Sequence, residues 1–264
     1  MASFLDKMSK KASELKDMAA EKAAELAETV SETVDAATSS DDDESPFTDA
    51  EIEEMSARRE RSIAIIEQEQ VPIYDDLPMI LPETHAPQRS HQEVAERAVA
   101  LFIVSYKAVG GDEKIVEKMA DKADDDDLFS PEEADFATEE DVEDSDRIQF
   151  SWRVEALNVL LWALGKVDTL PRPDKSVDWD PIVAMMSGIS AKKLLSSSKM
   201  RPQAEVLDAA DLIYRYHWAI RNEGVHGREA PDGLDSSVVL ERHHALNWLI
   251  QFDGEDWDDV PTPT

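Results

Sequence analysis

The 264-residue chain contains no cysteine. That removes disulfide frameworks, thiolate nucleophiles and Cys-ligated zinc or iron–sulfur centres together, and it fits a reducing compartment such as the cytoplasm. Glycine is scarce at 8 residues. No glycine-rich phosphate loop, nucleophile elbow or HExxH pair occurs, so the usual signatures of phosphoryl transfer, serine hydrolysis and zinc proteolysis are missing. No apolar run approaches the roughly 18 residues of a membrane span, and the N-terminus lacks the short apolar core of a signal peptide. Basic residues are outnumbered, with 27 Lys and Arg against 59 Asp and Glu for a net charge of -32. With no basic stripe beside its aromatics, the chain is not expected to bind nucleic acid.

The acid that is present is segregated. Residues 121–146 hold 14 carboxylates and one lysine, and residues 253–264 hold five and no base, whereas residues 147–252 balance at 13 of each sign. A surface evenly coated with acid, as in a halophile, would not show this pattern. It reads as a neutral core with acidic extensions, which serve solubility and spacing or dock a protein partner, a basic one by charge complementarity.

Hydrophobic periodicity places helices along the whole chain and gives no strand signal. The expected fold is all-α: an irregular helical bundle with proline-rich connections and a separate N-terminal amphipathic helix. Residues 1–37 form that helix, on a thin heptad-like seam of Leu5, Met8, Ala12, Leu15, Ala19, Lys22 and Leu26. Its tip sets Phe4, Leu5 and Met8 beside Lys7, Lys10 and Lys11, so residues 1–20 suit a partner helix or a peripheral membrane contact. An acidic linker follows at 38–48, and a helical domain occupies 49–264 with an acidic, solvated insert at 121–146. Oligomeric state is left open by these patterns.

Within the domain, Phe150–Gly165 is the most apolar stretch, with Phe150, Val154, Leu157, Leu161 and Leu164 on one face and Trp152, Val159 and Trp162 on another. A helix apolar on several sides is buried. Gln203–Glu223 and Ser237–Phe252 repeat the pattern. Asp49–Glu69 is a further helix, Ser90 and Glu93 have capping-box spacing at the start of another, and Ile182–Leu195 reads as one short helix. Residues 70–87, broken by Pro72, Pro78, Pro82 and Pro87, read as an extended strap with Ile73, Tyr74, Leu77, Met79, Ile80 and Leu81 tucked against the domain.

The blocks WRVEALNVLLWALG, DAADLIYRYHWAIRN, VVLERHHALNWLIQF and the closing WDDV, preceded by RRERSIAIIEQEQVP and SHQEVAERAVAL, resemble the successive blocks of the uncharacterised bacterial family DUF4272. The resemblance covers about residues 57–260. It implies a helical bacterial domain and assigns no activity.

Charge embedded in these aromatic helices is what needs explaining. The candidates are Arg153, Glu155, Asp211, Arg215, His217, Arg221, Glu241, Arg242 and His244. Two readings follow. They could be a core ion network that fixes helix register, or they could line a pocket for a small ligand or a reaction. Glu241 and His244 have the Glu-x-x-His spacing of di-iron bundles, but a second helical copy and the further carboxylates are missing, so no metal or other cofactor is expected. DKADDDD is rich in oxygen ligands yet lacks the alternate acids, central glycine and final Glu of a calcium loop. The sequence therefore favours a cytoplasmic interaction or scaffold module, with a membrane-peripheral location open through residues 1–20, the pocket reading as the alternative and enzymatic activity undecided.

Overall fold

A computed structural model describes residues 45–125, 127–139 and 142–264. The helix expected over 1–37, with its seam and basic tip, lies outside the described residues. Residues 49–264 form one compact unit, and among the described residues there are α-helices, three single-turn 3-10 segments and no strand. The helices are α1 (Asp49–Gln68), α2 (His91–Ala108), α3 (Glu113–Asp125), α4 (Pro131–Thr138), α5 (Asp144–Ala163), α6 (Trp179–Met186), α7 (Ala191–Ser196), α8 (Gln203–Val225) and α9 (Ser236–Leu249).

The core is built on α5. Every residue from Val154 to Ala163 is buried, as an all-round apolar helix requires. It lies against α2, which is buried from Val94 to Ser105 except at Glu96, and against α9; α8 then packs on α9, and α1 on α8. Capping chemistry fixes where the elements begin. Ser90 and Ser130 each accept a hydrogen bond from the backbone N–H three residues on, while Glu93 and Glu133 reach back to the serine N–H, closing two reciprocal boxes. At the far end of α5, Arg201 donates to the carbonyls of Trp162, Val167 and Asp168 at 2.7, 2.9 and 2.7 Å. It thereby ties the last turn of α5, at Trp162, to the connection that follows it.

Three expectations change. First, α5 begins at Asp144, inside the acidic insert, because acidic residues in a first turn complement the helix dipole. Second, the insert is not simply solvated. Leu128, Glu133 and Phe136 are buried, Phe136 stacks on Phe150 at 4.0 Å, and Lys107 donates to the carbonyls of Phe136, Ala137 and Glu139. Third, residues 182–195 form two helices, because Gly188 takes a left-handed φ of 76° between them.

The strap over residues 71–87 is present, though only part of it is covered. Leu77 is buried, Met79 and Ile80 are half-buried, and Ile73, Tyr74 and Leu81 stay exposed. Its anchor is electrostatic. Buried Arg58 donates to the carbonyls of Ile80 and Leu81 at 3.3 and 2.9 Å and pairs with Glu54, which accepts from the Glu83 N–H at 3.0 Å. Arg58→Ala should therefore cost roughly 2–4 kcal/mol and free the strap. Limited proteolysis should then cut within 72–84 first; protection equal to the parent chain would contradict this anchor.

Candidate functional site

Helix α9 decides where the charged candidates go. Successive residues on an α-helix point about 100° apart, so Glu241 and His244, three apart, share one face beside Arg153 while Arg242 and His243 turn to other neighbours. Arg242 turns to Glu155, whose Oε2 accepts from its Nε and Nη2 at 3.2 and 3.0 Å. Glu155 Oε1 accepts from Ser176 Oγ and the Val177 N–H at 2.7 and 2.6 Å, and Arg242 Nη1 donates to the Pro171 carbonyl at 2.6 Å. This buried pair has its hydrogen bonds filled and pins the α5–α6 connection to α9.

His243 meets His217 of α8, Nδ1 to Nδ1 at 2.7 Å, with ring planes 82° apart. Burial pushes the His217 imidazole down to about 3, with Arg221 adding to the effect, and holds His243 well below its ordinary value. Both rings are thus neutral at pH 7, one donating and one accepting. Asp211 and Arg215 pair within α8 through two bonds, at 2.8 and 3.0 Å. Arg215 also borders a notch under the Tyr74–Trp218 stack, but that notch measures about 10 Å³. A space of that size admits at most one water.

The nine sequence candidates are therefore spread over several small groups. Arg153 and Glu155 both meet charged partners on α9, Glu241 and Arg242 respectively.

One group differs in being incomplete. Arg153 Nη1 lies 3.4 Å from both Glu241 oxygens. Burial pushes the Glu241 carboxyl up, against the opposing pull of Arg153. Burial would lower Arg153, but Glu241 and Glu133 more than offset it. His244 sits edge-on to the buried Trp257 ring at 4.6 Å, and burial, then the Arg153 charge, push its pKa down to about 3. The Trp257 backbone offsets part of that shift, and His244 Nε2 is buried without a partner.

Across Trp257 lies a second pair that sequence reasoning missed. Arg97 of α2 is ion-paired to Glu133 of α4, donates to the Leu128 carbonyl, and holds its guanidinium 5.4 Å from the Trp257 ring centre. Four buried polar atoms around this one tryptophan lack a partner: Glu133 Oε1, Arg153 Nε, His244 Nε2 and Trp257 Nε1. Leaving such an atom unpaired costs about 1–3 kcal/mol, so finding four together is unusual for a structural network.

This cluster borders a cleft of about 370 Å³. Six carboxylates line it, from Glu93, Glu96, Asp127, Asp256, Asp258 and Asp259, against two guanidiniums, from Arg89 and Arg97. Arg89 lies over Trp248 at 4.9 Å and donates to the carbonyls of Trp248 and Glu255, so its charge is part of the wall. Asp258 accepts from the Glu132 N–H at 3.1 Å, fastening the C-terminal turn to α4. The cleft is thus acidic and partly aromatic. Among the described residues, no group of three or more His, Asp or Glu is arranged to hold a metal ion, and no helix is long and apolar enough to cross a membrane.

A sequence signal for this site did exist. Trp257 stands amid five carboxylates, Arg97 interrupts the apolar stripe of α2, and Ser130-Pro131-Glu132-Glu133 is a capping box. What could not be read was that all three meet. No curated protein and no solved structure matches the chain. A family model does match, over residues 58–260, from the α1 arginine that anchors the strap to the last buried residue beyond Trp257, and the chain belongs to that family, Domain of unknown function (DUF4272).

Proposed function

We propose that the domain is a cytoplasmic protein-interaction module that takes a basic segment of a partner into the acidic cleft beside Trp248 and Trp257. The observation carrying this reading is the excess of six carboxylates over two arginines around one concave, aromatic-walled space. Charge of one sign in a cleft concentrates ligands of the other and speeds their encounter. The N-terminal segment 1–37 acts in this reading as a second contact, to a partner helix or a membrane surface. Deleting residues 1–48 should then redistribute the protein in cell fractionation, and an unchanged distribution would count against the arm.

The cleft is tested with octaarginine as the probe. Binding should weaken by about tenfold or more between 50 and 200 mM salt, since the screening length for exposed charges falls from about 14 to about 7 Å over that range. The triple variant Asp127→Asn, Asp256→Asn, Asp259→Asn should lose a similar factor. Because the whole chain is acidic, a control removes the same charge elsewhere: Glu53→Gln, Glu60→Gln, Asp76→Asn, at exposed positions that do not line the cleft. Equal affinity for the two triple variants would sink the cleft as the binding site.

A further inference from the structure

We propose that the cleft reads its segment by charge alone, accepting lysine as readily as arginine, because Arg89 already covers the aromatic face that would favour a guanidinium. This rests on the cleft reading above and specifies what the cleft accepts. Arginine ordinarily gains over lysine at an aromatic site, since its flat guanidinium stacks on the ring. Here the rings are taken. Trp248 and Trp257 are 5% and 4% exposed, and the chain's own Arg89 and Arg97 lie over them at 4.9 and 5.4 Å. The third ring of the cleft, Phe129, is half-buried against the core and is a weaker partner for a cation than an indole.

Arg89 is held in place by several acceptors. Its backbone N–H donates to the Leu249 carbonyl at 3.0 Å, and its guanidinium donates to the carbonyls of Trp248 and Glu255 and to the Glu93 carboxylate at 3.3, 2.5 and 3.4 Å. A cation arriving from solvent would have to leave those acceptors unpaired in order to take its place on Trp248. Carboxylates are what remain. Glu93 accepts from the Ser90 N–H at 2.8 Å, Glu96 from the Gln92 amide at 2.8 Å and Asp258 from the Glu132 N–H at 3.1 Å. Asp127, Asp256 and Asp259 are exposed, and exposed ion pairs are individually weak whether the cation is lysine or arginine. Affinity therefore comes from the number of positive charges, not from their type.

The test uses the intact chain with octaarginine and octalysine, which carry equal charge, at low salt. On the parent chain the two should bind within about threefold of each other. Arg89→Ala uncovers Trp248, so octaarginine should then bind about fivefold or more tighter than octalysine. Taking the ratio cancels the gain that both probes draw from the lost positive charge. Should Arg89→Ala fail to fold, the parent comparison still decides whether the cleft reads charge alone. A parent preference of about tenfold or more for octaarginine, or a ratio that stays near one in folded Arg89→Ala, would overturn the proposal and leave the cleft reading standing. If neither octamer binds, both fall.

Discussion

Lowering the pH from 7.5 to 5 is expected to remove about 4 kcal/mol of stability through His217 and His244, with His243 adding in the same direction. The sign follows from which state takes up protons. An unfolded chain binds protons at histidine near 6.5, whereas burial holds His217 and His244 at about 3 in the fold. Stability from these groups is therefore complete above about pH 6.5 and declines as the pH falls toward 3. Each contributes about 2 kcal/mol at pH 5, and together that is a large share of an ordinary domain's 5–15 kcal/mol. Relief of repulsion among the acidic residues acts the opposite way, so urea midpoints should be compared in high salt, where that repulsion is screened. Imidazole C–H resonances give the direct check. Those of the three histidines should stay at neutral-form shifts until the chain unfolds; midpoints near 6.5 in the folded protein would contradict the burial argument.

Replacing Glu155 by leucine should cost about 3–5 kcal/mol, because it strands the Arg242 guanidinium, with the Val177 N–H and Ser176 hydroxyl, in a site from which water is excluded. The companion change sharpens the claim. Adding Arg242→Leu removes the uncompensated charge, so the double variant should be more stable than the sum of the two single losses implies. Recovery will be incomplete, since the backbone donor at Val177 still lacks an acceptor. Urea denaturation of the four proteins completes the cycle. A single-variant cost below 1 kcal/mol, or strict additivity, would show that the Glu155–Arg242 pair does not tie the α5–α6 connection to α9.

Periodicity and punctuation carried the sequence reading a long way. The α-helical class, the buried character of Val154–Ala163, the Ser90 capping box and the proline strap are all local properties, written in the spacing of neighbouring residues. Partner identity is not local. Spacing shows that Glu241 and His244 share a face of α9, but it cannot say that Arg153 and Trp257 lie opposite that face while Arg242 and His243 turn to Glu155 and His217. The acidic insert misled for the same reason. A charge run is ordinarily solvated, yet Phe136 and Glu133 within it find Phe150 on α5 and Arg97 on α2. The cleft arises where that insert, α2 and the C-terminal turn converge, so its residues are distributed from Arg89 to Asp259.

The most direct measurement follows the indole N–H signals of Trp248 and Trp257 in two-dimensional proton–nitrogen spectra while octaarginine is added at low salt. Both residues wall the cleft, and the Trp257 N–H has no intramolecular acceptor, so its resonance should respond to a segment bound beside it. The account predicts that these two signals move first, saturate together and remain still in the Asp127→Asn, Asp256→Asn, Asp259→Asn variant. Binding that shifts other residues and leaves both indoles unmoved would contradict it.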